Sequence, residues 1–229
     1  MTSRVLAPPE ADRFWSEAEV VLAPDDPRPG AWVGAPSAQL VEGVWWLAYR
    51  MRRPIGEGRG FANVVAHSDD GVRFDPVVGL GREAFGAESL ERPALVHTHD
   101  GRWRLYVSCA TPGSTHWWVD LLEGTTEHAT SDDGVNWAWQ GTALAGTPGT
   151  WDARATAEEN GEERTGLARR RPDGGFAAEA GGPLLESPNP PAGLRYADAV
   201  PLPDGTVRWF CEATRADSAH ELRTVLLPG

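Results

Sequence analysis

The sequence predicts an all-β fold of the β-propeller class, and the main reason is a turn motif that occurs twice. Residues 68–74 read Ser-Asp-Asp-Gly-Val-Arg-Phe, and residues 131–137 read Ser-Asp-Asp-Gly-Val-Asn-Trp. Asp-Gly favours a tight hairpin turn, because Gly accepts a positive φ and the Asp side chain can bond to its own backbone. The aromatic residue after the turn can anchor the returning strand. One such turn in each sheet is typical of propeller blades.

The amino-acid composition is the second observation, and it favours a single domain of many short strands. The 229 residues include 26 Gly, 19 Pro and 11 Trp, which suits strands joined by turns and disfavours a helical bundle. This length is sufficient for one full-sized core. We predict one domain over residues 1–229, in which residues 1–30 form an N-terminal segment whose strand at 18–22 can close the last blade.

The third observation is that four units of similar strand order follow one another. The first unit, at about 34–78, contains four predicted strands, and the second repeats that order from about residue 92 through the second Asp-Gly turn. The fourth unit begins near Tyr196 and lacks a fourth strand, which the N-terminal segment can supply. Each unit has the strand content of one blade.

The third unit is incomplete. The distance between turns falls from 63 positions, 68 to 131, to 40 positions, 131 to a degraded copy of the motif at 171–176. About 20 residues of the repeat period are therefore missing. We expect either a deletion or a loop left out of the numbering between Thr156 and Ala157.

The charge of the chain limits its partners. The formal net charge is −12, and all 21 basic residues are Arg, which disfavours nucleic acid and anionic membranes as partners. An apolar run of 18 residues is absent, and the first residues lack the apolar core of a secretory signal, so we expect a cytoplasmic protein with no membrane partner. The histidines show no metal-ligand spacing, so neither a metal nor another cofactor is predicted.

The pattern resembles the five-bladed β-propeller glycoside hydrolases of the family 43 and family 32 type. The resemblance rests on the Ser-x-Asp-Gly-x-x-(Trp/Phe) turns, on acidic residues near Pro or Ala where strands open, and on aromatic second strands, and it covers the chain from about Trp32. It implies five blades, the fifth coming from the N-terminal region or the missing segment unless the propeller has only four. It also implies a small carbohydrate or glycoside as ligand, and it leaves a central cation open.

The resemblance implies three catalytic acids, Glu91, Asp152 and Asp198, because the inner strands of such propellers open at a central cavity. Glycoside hydrolysis needs one carboxylic acid to protonate the leaving oxygen and one carboxylate to activate water or attack. We expect the three carboxyl groups to share a cleft, with one pKa raised by burial and like charge. The resemblance favours the inverting reaction, with Glu91 or Asp152 as acid and Asp198 as base.

The first unit departs from this pattern. It opens with Gly-Ala-Pro-Ser at 34–37, where the resemblance implies the Asp of an Asp-Pro pair as base, and Ala35 cannot do that chemistry. Either the acidic set is displaced by one blade or the reaction is lost. The alternative function is therefore a non-catalytic or repurposed propeller that binds a carbohydrate-like ligand.

Further polar and aromatic side chains are candidate ligand contacts. The cluster in the last unit is denser than a solvent-facing strand pair requires, although a surface loop with ion pairs is the alternative. A Trp in the second unit could stack on a sugar ring or pack beneath its own loop. The predicted contacts are Arg92, Trp117, Arg154, Tyr196, Glu212, Arg215, His220 and Arg223.

Overall fold

The structure of the chain, a computed structural model, describes residues 9–54, 56–110, 125–145, 165–166, 168–170, 176–178 and 183–229. More than half of these residues lie in β-strands, which confirms the all-β prediction, and they contain no helix long and apolar enough to cross a membrane. The elements are α1 (Ala11–Glu17), β1 (Glu19–Leu22), β2 (Trp32–Val41), β3 (Val44–Arg52), β4 (Gly60–Ser68), β5 (Asp75–Gly81), β6 (Leu90–His97), β7 (Trp103–Cys109), β8 (Thr125–Ser131), β9 (Ala138–Ala145), β10 (Ala168–Arg170), β11 (Phe176–Ala178), β12 (Leu194–Pro201), β13 (Thr206–Thr214) and β14 (His220–Pro228).

The strands form antiparallel units of four, as a propeller requires. The first unit is β2-β3-β4-β5 and the second is β6-β7-β8-β9. The last unit is β12-β13-β14, and β1 pairs with the outer edge of β14 as its fourth strand. One parallel pair, His220 with Trp32, joins the last unit to the first.

The described part of the third unit is small. It comprises the antiparallel pair β10-β11 and a bridge between Thr165 and Leu185. Thr156 and Ala157, which flank the predicted gap, lie outside the described residues, so the number of blades stays a prediction.

The apolar core lies between neighbouring units rather than within one of them. Trp45 and Leu47 of the first unit pack with Phe210 and Leu222 of the last unit in one cluster. Apolar residues of β3 and β4 pack with those of β6 and β7 in a second cluster. In a third, Phe14 of α1 packs with residues of the last unit and with Leu185. Burial of these side chains supplies the main force that holds the units together.

The two Asp-Gly turns join the third and fourth strands of their units, as predicted, but they are longer than a two-residue hairpin. The Ser68 hydroxyl accepts hydrogen bonds from the backbone N–H groups of Asp70 and Gly71 and donates one to Asp70. Asp70 Oδ1 accepts hydrogen bonds from the backbone N–H groups of Val72 and Arg73, each at 2.8 Å, and these bonds lower the pKa of Asp70 to about 2. The second turn repeats these bonds around Asp133.

Each turn packs on an aromatic side chain of its own unit and on a side chain of the preceding one. A Cβ added to Gly134 would lie 2.7 Å from the ring of Trp46 and 3.2 Å from Trp103 Nε1. The equivalent Gly71 approaches Trp45 and Arg208 in the same way. The repeated motif therefore reverses the chain and also packs between neighbouring units.

Gly134→Ala is expected to lower the free energy of unfolding by about 1–3 kcal/mol more than Gly101→Ala, because it adds overpacking. Both glycines have a positive φ, 75° and 78°, so they share the backbone cost of a Cβ. Among the described residues, nothing lies within 4 Å of a Cβ at Gly101. Urea unfolding of both variants measures the difference, and equal losses would contradict the packing role of the turn.

Candidate functional site

The three described inner strands carry a β-bulge at the same point. In each of β2, β6 and β12, two residues oppose one residue of the partner strand. A bulge bends its strand and re-aims the side chains on it. Ala35 and Tyr196, at φ 52° and 53°, are the first bulge residues of β2 and β12, and Glu91 holds this position in β6. The three units thus present Ala35, Glu91 and Tyr196 at one end of the inner strands.

Arg50 of β3 contacts two of these positions, Glu91 and Tyr196, and also Glu212 of the last unit. It is 1% exposed, and its Nη1 donates a hydrogen bond to Glu91 Oε2. Its Nη2 lies 3.5 Å from Glu212 Oε2 in the last unit, and its guanidinium carbon lies 5.5 Å from the centre of the Tyr196 ring. A fully buried guanidinium needs such counter-charges, since an unpaired charge inside a protein is costly.

Glu91 is held as an anion at the edge of this cluster. Its Oε1 accepts a hydrogen bond from Ser89 Oγ at 3.0 Å and lies 3.5 Å from Arg59 Nη2. Burial alone would raise the pKa of Glu91, but the charges of Arg50, Arg52 and Arg59 outweigh that effect, so its pKa is lowered. The raised pKa expected of a general acid is not found at Glu91. Its side chain is 13% exposed, so a ligand can reach it.

Glu212 is the inner counter-charge of the cluster. Its Oε1 accepts a hydrogen bond from Arg195 Nε at 2.6 Å and one from His220 Nδ1 at 2.8 Å. Burial opposes ionisation, yet Arg195, His220 and Arg50 hold the pKa of Glu212 well below 4.5. The prediction that Glu212 contacts a ligand does not fit its complete burial.

Gly34 gives Glu212 the space that it occupies. A Cβ on Gly34 would overlap the Cβ, Cγ and Oε2 atoms of Glu212. The inner strand of the first unit therefore passes directly against the carboxylate of the last unit. A larger residue at this position would displace the carboxylate.

Trp32 provides an aromatic surface on which the basic groups are stacked. The His220 ring lies parallel to it at 4.5 Å between centres, and the guanidinium carbons of Arg52 and Arg195 each lie 4.2 Å from its ring. His220 Nε2 also lies 3.2 Å from Thr214 Oγ1. Such contacts fix the orientation of flexible Arg side chains. We call the whole group the Glu91 site; it comprises Trp32, Arg50, Arg52, Arg59, Glu91, Arg195, Tyr196, Glu212 and His220.

Asp198 lies after the bulge of its strand. Its Oδ2 accepts the backbone N–H of Ala38 in the neighbouring unit at 2.8 Å, and its Oδ1 accepts its own following N–H. Ser37, at the equivalent position of β2, likewise bonds the backbone of Leu95 in the next unit. Both residues join neighbouring inner strands, and Tyr196 rather than Asp198 is the register equivalent of Glu91.

The remaining predicted residues fall into three groups. Arg92 is exposed, and its guanidinium carbon lies 5.7 Å from the Tyr196 ring centre, at the border of the Glu91 site. Arg215 pairs with Asp217 at 2.8 Å, and Arg223 pairs with Glu221 at 2.6 Å beside β1, outside the site. The others lie outside the described residues, and they are Trp117, Asp152 and Arg154.

The sequence analysis missed the basic half of the site. At the end of the apolar strand β3, Arg50 and Arg52 alternate with Tyr49 and Met51. Because alternate residues of a strand share one face, this pattern could have indicated a basic face. Trp32 opens β2 and was overlooked because other Trp residues matched the repeat. Among the described residues, no group of three or more His, Cys, Asp or Glu side chains could hold a metal ion.

Comparisons with known proteins identify the fold. No model of a protein family matches the chain, and no curated protein matches it. A glycoside hydrolase structure superposes with a TM-score of 0.59 at 10% identity, over 94% of this chain and 93% of that one. A complex of BT0996 with RGII gives 0.58 at 12% identity over the same shares. A candidate glycoside hydrolase from Parabacteroides distasonis gives 0.53 at 15% identity, over 91% and 96%. The part of the chain that the structure describes therefore has a glycoside hydrolase-like, propeller-type fold.

Glu212→Gln is expected to lower the free energy of unfolding by about 3–5 kcal/mol, because it leaves Arg195 and Arg50 buried with half of their counter-charge removed. The matched control is Asp217→Asn, which breaks a partly exposed ion pair and should cost less than about 1 kcal/mol. Chemical unfolding measures both variants. Similar small losses would mean that the buried network contributes little.

The stability of the protein is expected to fall as the pH drops below about 4.5, the ordinary pKa of a Glu side chain. The pKa values of Glu91 and Glu212 are lower in the folded state, so the unfolded chain binds more protons there. Their contribution is complete above pH 4.5 and is lost as the pH falls through the folded pKa values. Urea midpoints measured across this range should fall less steeply for Glu91→Gln. An identical slope would argue against an ionised, paired Glu91.

Proposed function

We propose that this protein binds a saccharide at the Glu91 site. The observation that carries the proposal is Glu91 itself: a partly exposed carboxylate, on a bulge at the end of an inner strand, held ionised by buried arginines. A carboxylate is a strong acceptor for sugar hydroxyl groups. The neighbouring Tyr196 is half-buried and offers an aromatic face to the apolar side of a sugar ring.

The preorganisation of the site supports the proposal. Arg50, Ser89 and Arg59 fix the two oxygens of Glu91, and Trp32 fixes the guanidinium groups that stack on it. A site whose polar groups are already oriented loses little entropy on binding. Structures of similar fold include proteins named as glycoside hydrolases, which agrees with a saccharide as ligand.

Glycoside hydrolysis is the second candidate function, and the position of Glu91 at the opening of β6 favours it. Hydrolysis by paired carboxyl groups needs a proton donor as well as a carboxylate. The pKa values of Glu91 and Glu212 are both lowered, so neither of these two carboxyl groups is a proton donor at neutral pH. We infer that hydrolysis, in the inverting form, would use Glu91 as the carboxylate and Asp152 as the acid.

Glu91→Gln is expected to weaken saccharide binding at least about tenfold, because an amide is a weaker acceptor and removes one of the two counter-charges of Arg50. Titration calorimetry with a panel of mono- and oligosaccharides measures the effect. Glu88→Gln is the matched control, since it removes an exposed carboxylate three residues earlier and should bind normally. Circular dichroism checks that both variants are folded.

Tyr196→Ala provides a second variant that spares the backbone, because Ala35 already adopts the same φ at the equivalent position. It should also weaken binding. Wild-type affinity in both Glu91→Gln and Tyr196→Ala would contradict the proposal. Release of an aryl aglycone by the wild type, abolished in Asp152→Asn, would support hydrolysis; no release from any glycoside of the panel would leave binding as the function.

A further inference from the structure

We propose that the saccharide bound at the Glu91 site is acidic, and that Arg52 binds its anionic group, a carboxylate, sulfate or phosphate. This inference rests on the proposed function, because it names the class of ligand for the same site. It is carried by a cluster of buried arginines and by Arg52, whose side chain forms no ion pair with any described residue.

Four buried arginines gather at the site. Arg50, Arg52, Arg59 and Arg195 are each at most 8% exposed. The chain as a whole has a net charge of −12, so this concentration of positive charge is local. A buried cation attracts an anion and strengthens its binding.

Arg52 differs from the other three arginines. Arg50, Arg59 and Arg195 each form an ion pair with Glu91 or Glu212, whereas the side chain of Arg52 has no ion pair or hydrogen bond with any described residue. Its buried Nε has no hydrogen-bond partner. Burial, together with the repulsion of Arg50, lowers the pKa of Arg52 to about 10, although Glu91 opposes the shift. The group is therefore charged at neutral pH in surroundings that disfavour its charge.

The chemistry of Arg52 suits a planar or tetrahedral oxyanion. Its guanidinium carbon lies 4.2 Å from the centre of the Trp32 ring, and this contact restrains the side chain. The guanidinium edge forms paired hydrogen bonds with carboxylate, sulfate or phosphate oxygens. Trp32 Nε1, a second buried donor without a partner, lies in the same ring. Both orphaned groups are donors, so the ligand that matches them carries acceptors.

An unpaired buried cation is costly to the free protein, and a bound anion would remove that cost. Arg52→Met should therefore fold with a melting temperature equal to or above that of the wild type, while acidic ligands bind less tightly. A purely structural arginine would behave in the opposite way. Thermal unfolding of the ligand-free variant separates the two roles.

The closing experiment compares acidic sugars with their neutral parents by titration calorimetry. The pairs are galacturonate with galactose, glucuronate with glucose, and galactose 6-sulfate and 6-phosphate with galactose. The wild type should bind at least one acidic sugar about tenfold or more tightly than its parent, and the difference should shrink in high salt. The tightest of the four acidic sugars identifies the anionic group.

Arg52→Gln should lose at least about tenfold more affinity for the acidic sugar than for its neutral parent, and so remove the preference. Arg73→Gln is the matched control, because it removes a cation that is 90% exposed on the first Asp-Gly turn and should keep the preference. Arg52→Lys keeps the charge without the planar fork and should keep part of it.

Several results would overturn the inference. Equal affinity of the wild type for acidic and neutral sugars would overturn it and leave the proposed function intact, as would an equal loss for both sugars in Arg52→Gln. Binding of inorganic phosphate or sulfate as tight as that of the acidic sugars would overturn it as well. Failure of every saccharide to bind would overturn the proposed function together with the inference.

Discussion

The buried guanidinium of Arg50 is the constraint on which the rest of the site depends. Its charge can be held inside the protein only if carboxylates are brought to it, and they come from two other units, Glu91 from the second and Glu212 from the last. The same contacts align three inner strands at one end. The contacts that pack the units together therefore also form the site. At one such contact, the backbone at Gly34 passes directly against the side chain of Glu212.

The repeated turns made the fold predictable from the sequence. The Ser-x-Asp-Gly motif acts locally, through bonds from Ser68 and Asp70 to the next few backbone groups, so its meaning does not depend on distant residues. The motif also fixed the order of strands in the first two units. The longer form of the turn was not predictable from Asp-Gly alone, because the hydrogen bonds of the Ser and Asp side chains determine it.

The site was harder to predict, because its residues act across units. Four residues that the sequence singles out, Glu91, Tyr196, Glu212 and His220, lie in the Glu91 site, since acids at strand openings and polar clusters are visible in a sequence. The sequence pairs Asp198 with Glu91, whereas the register equivalent of Glu91 is Tyr196. The bulges that set this register leave no signal in the sequence. The arginines were missed because their role depends on counter-charges that are far away in the chain, as in the pairing of Arg50 with Glu212.

The pairing of β1 with β14 has a consequence for biosynthesis. The two strands are separated by about 200 residues, so β1 leaves the ribosome long before its partner exists. The last unit closes late, by a contact of very high sequence separation, and loop-closure entropy makes such steps slow. Until then β1 is an unpaired strand on the nascent chain, and three of its four residues, Val20, Val21 and Leu22, are apolar, so it can pair with other chains.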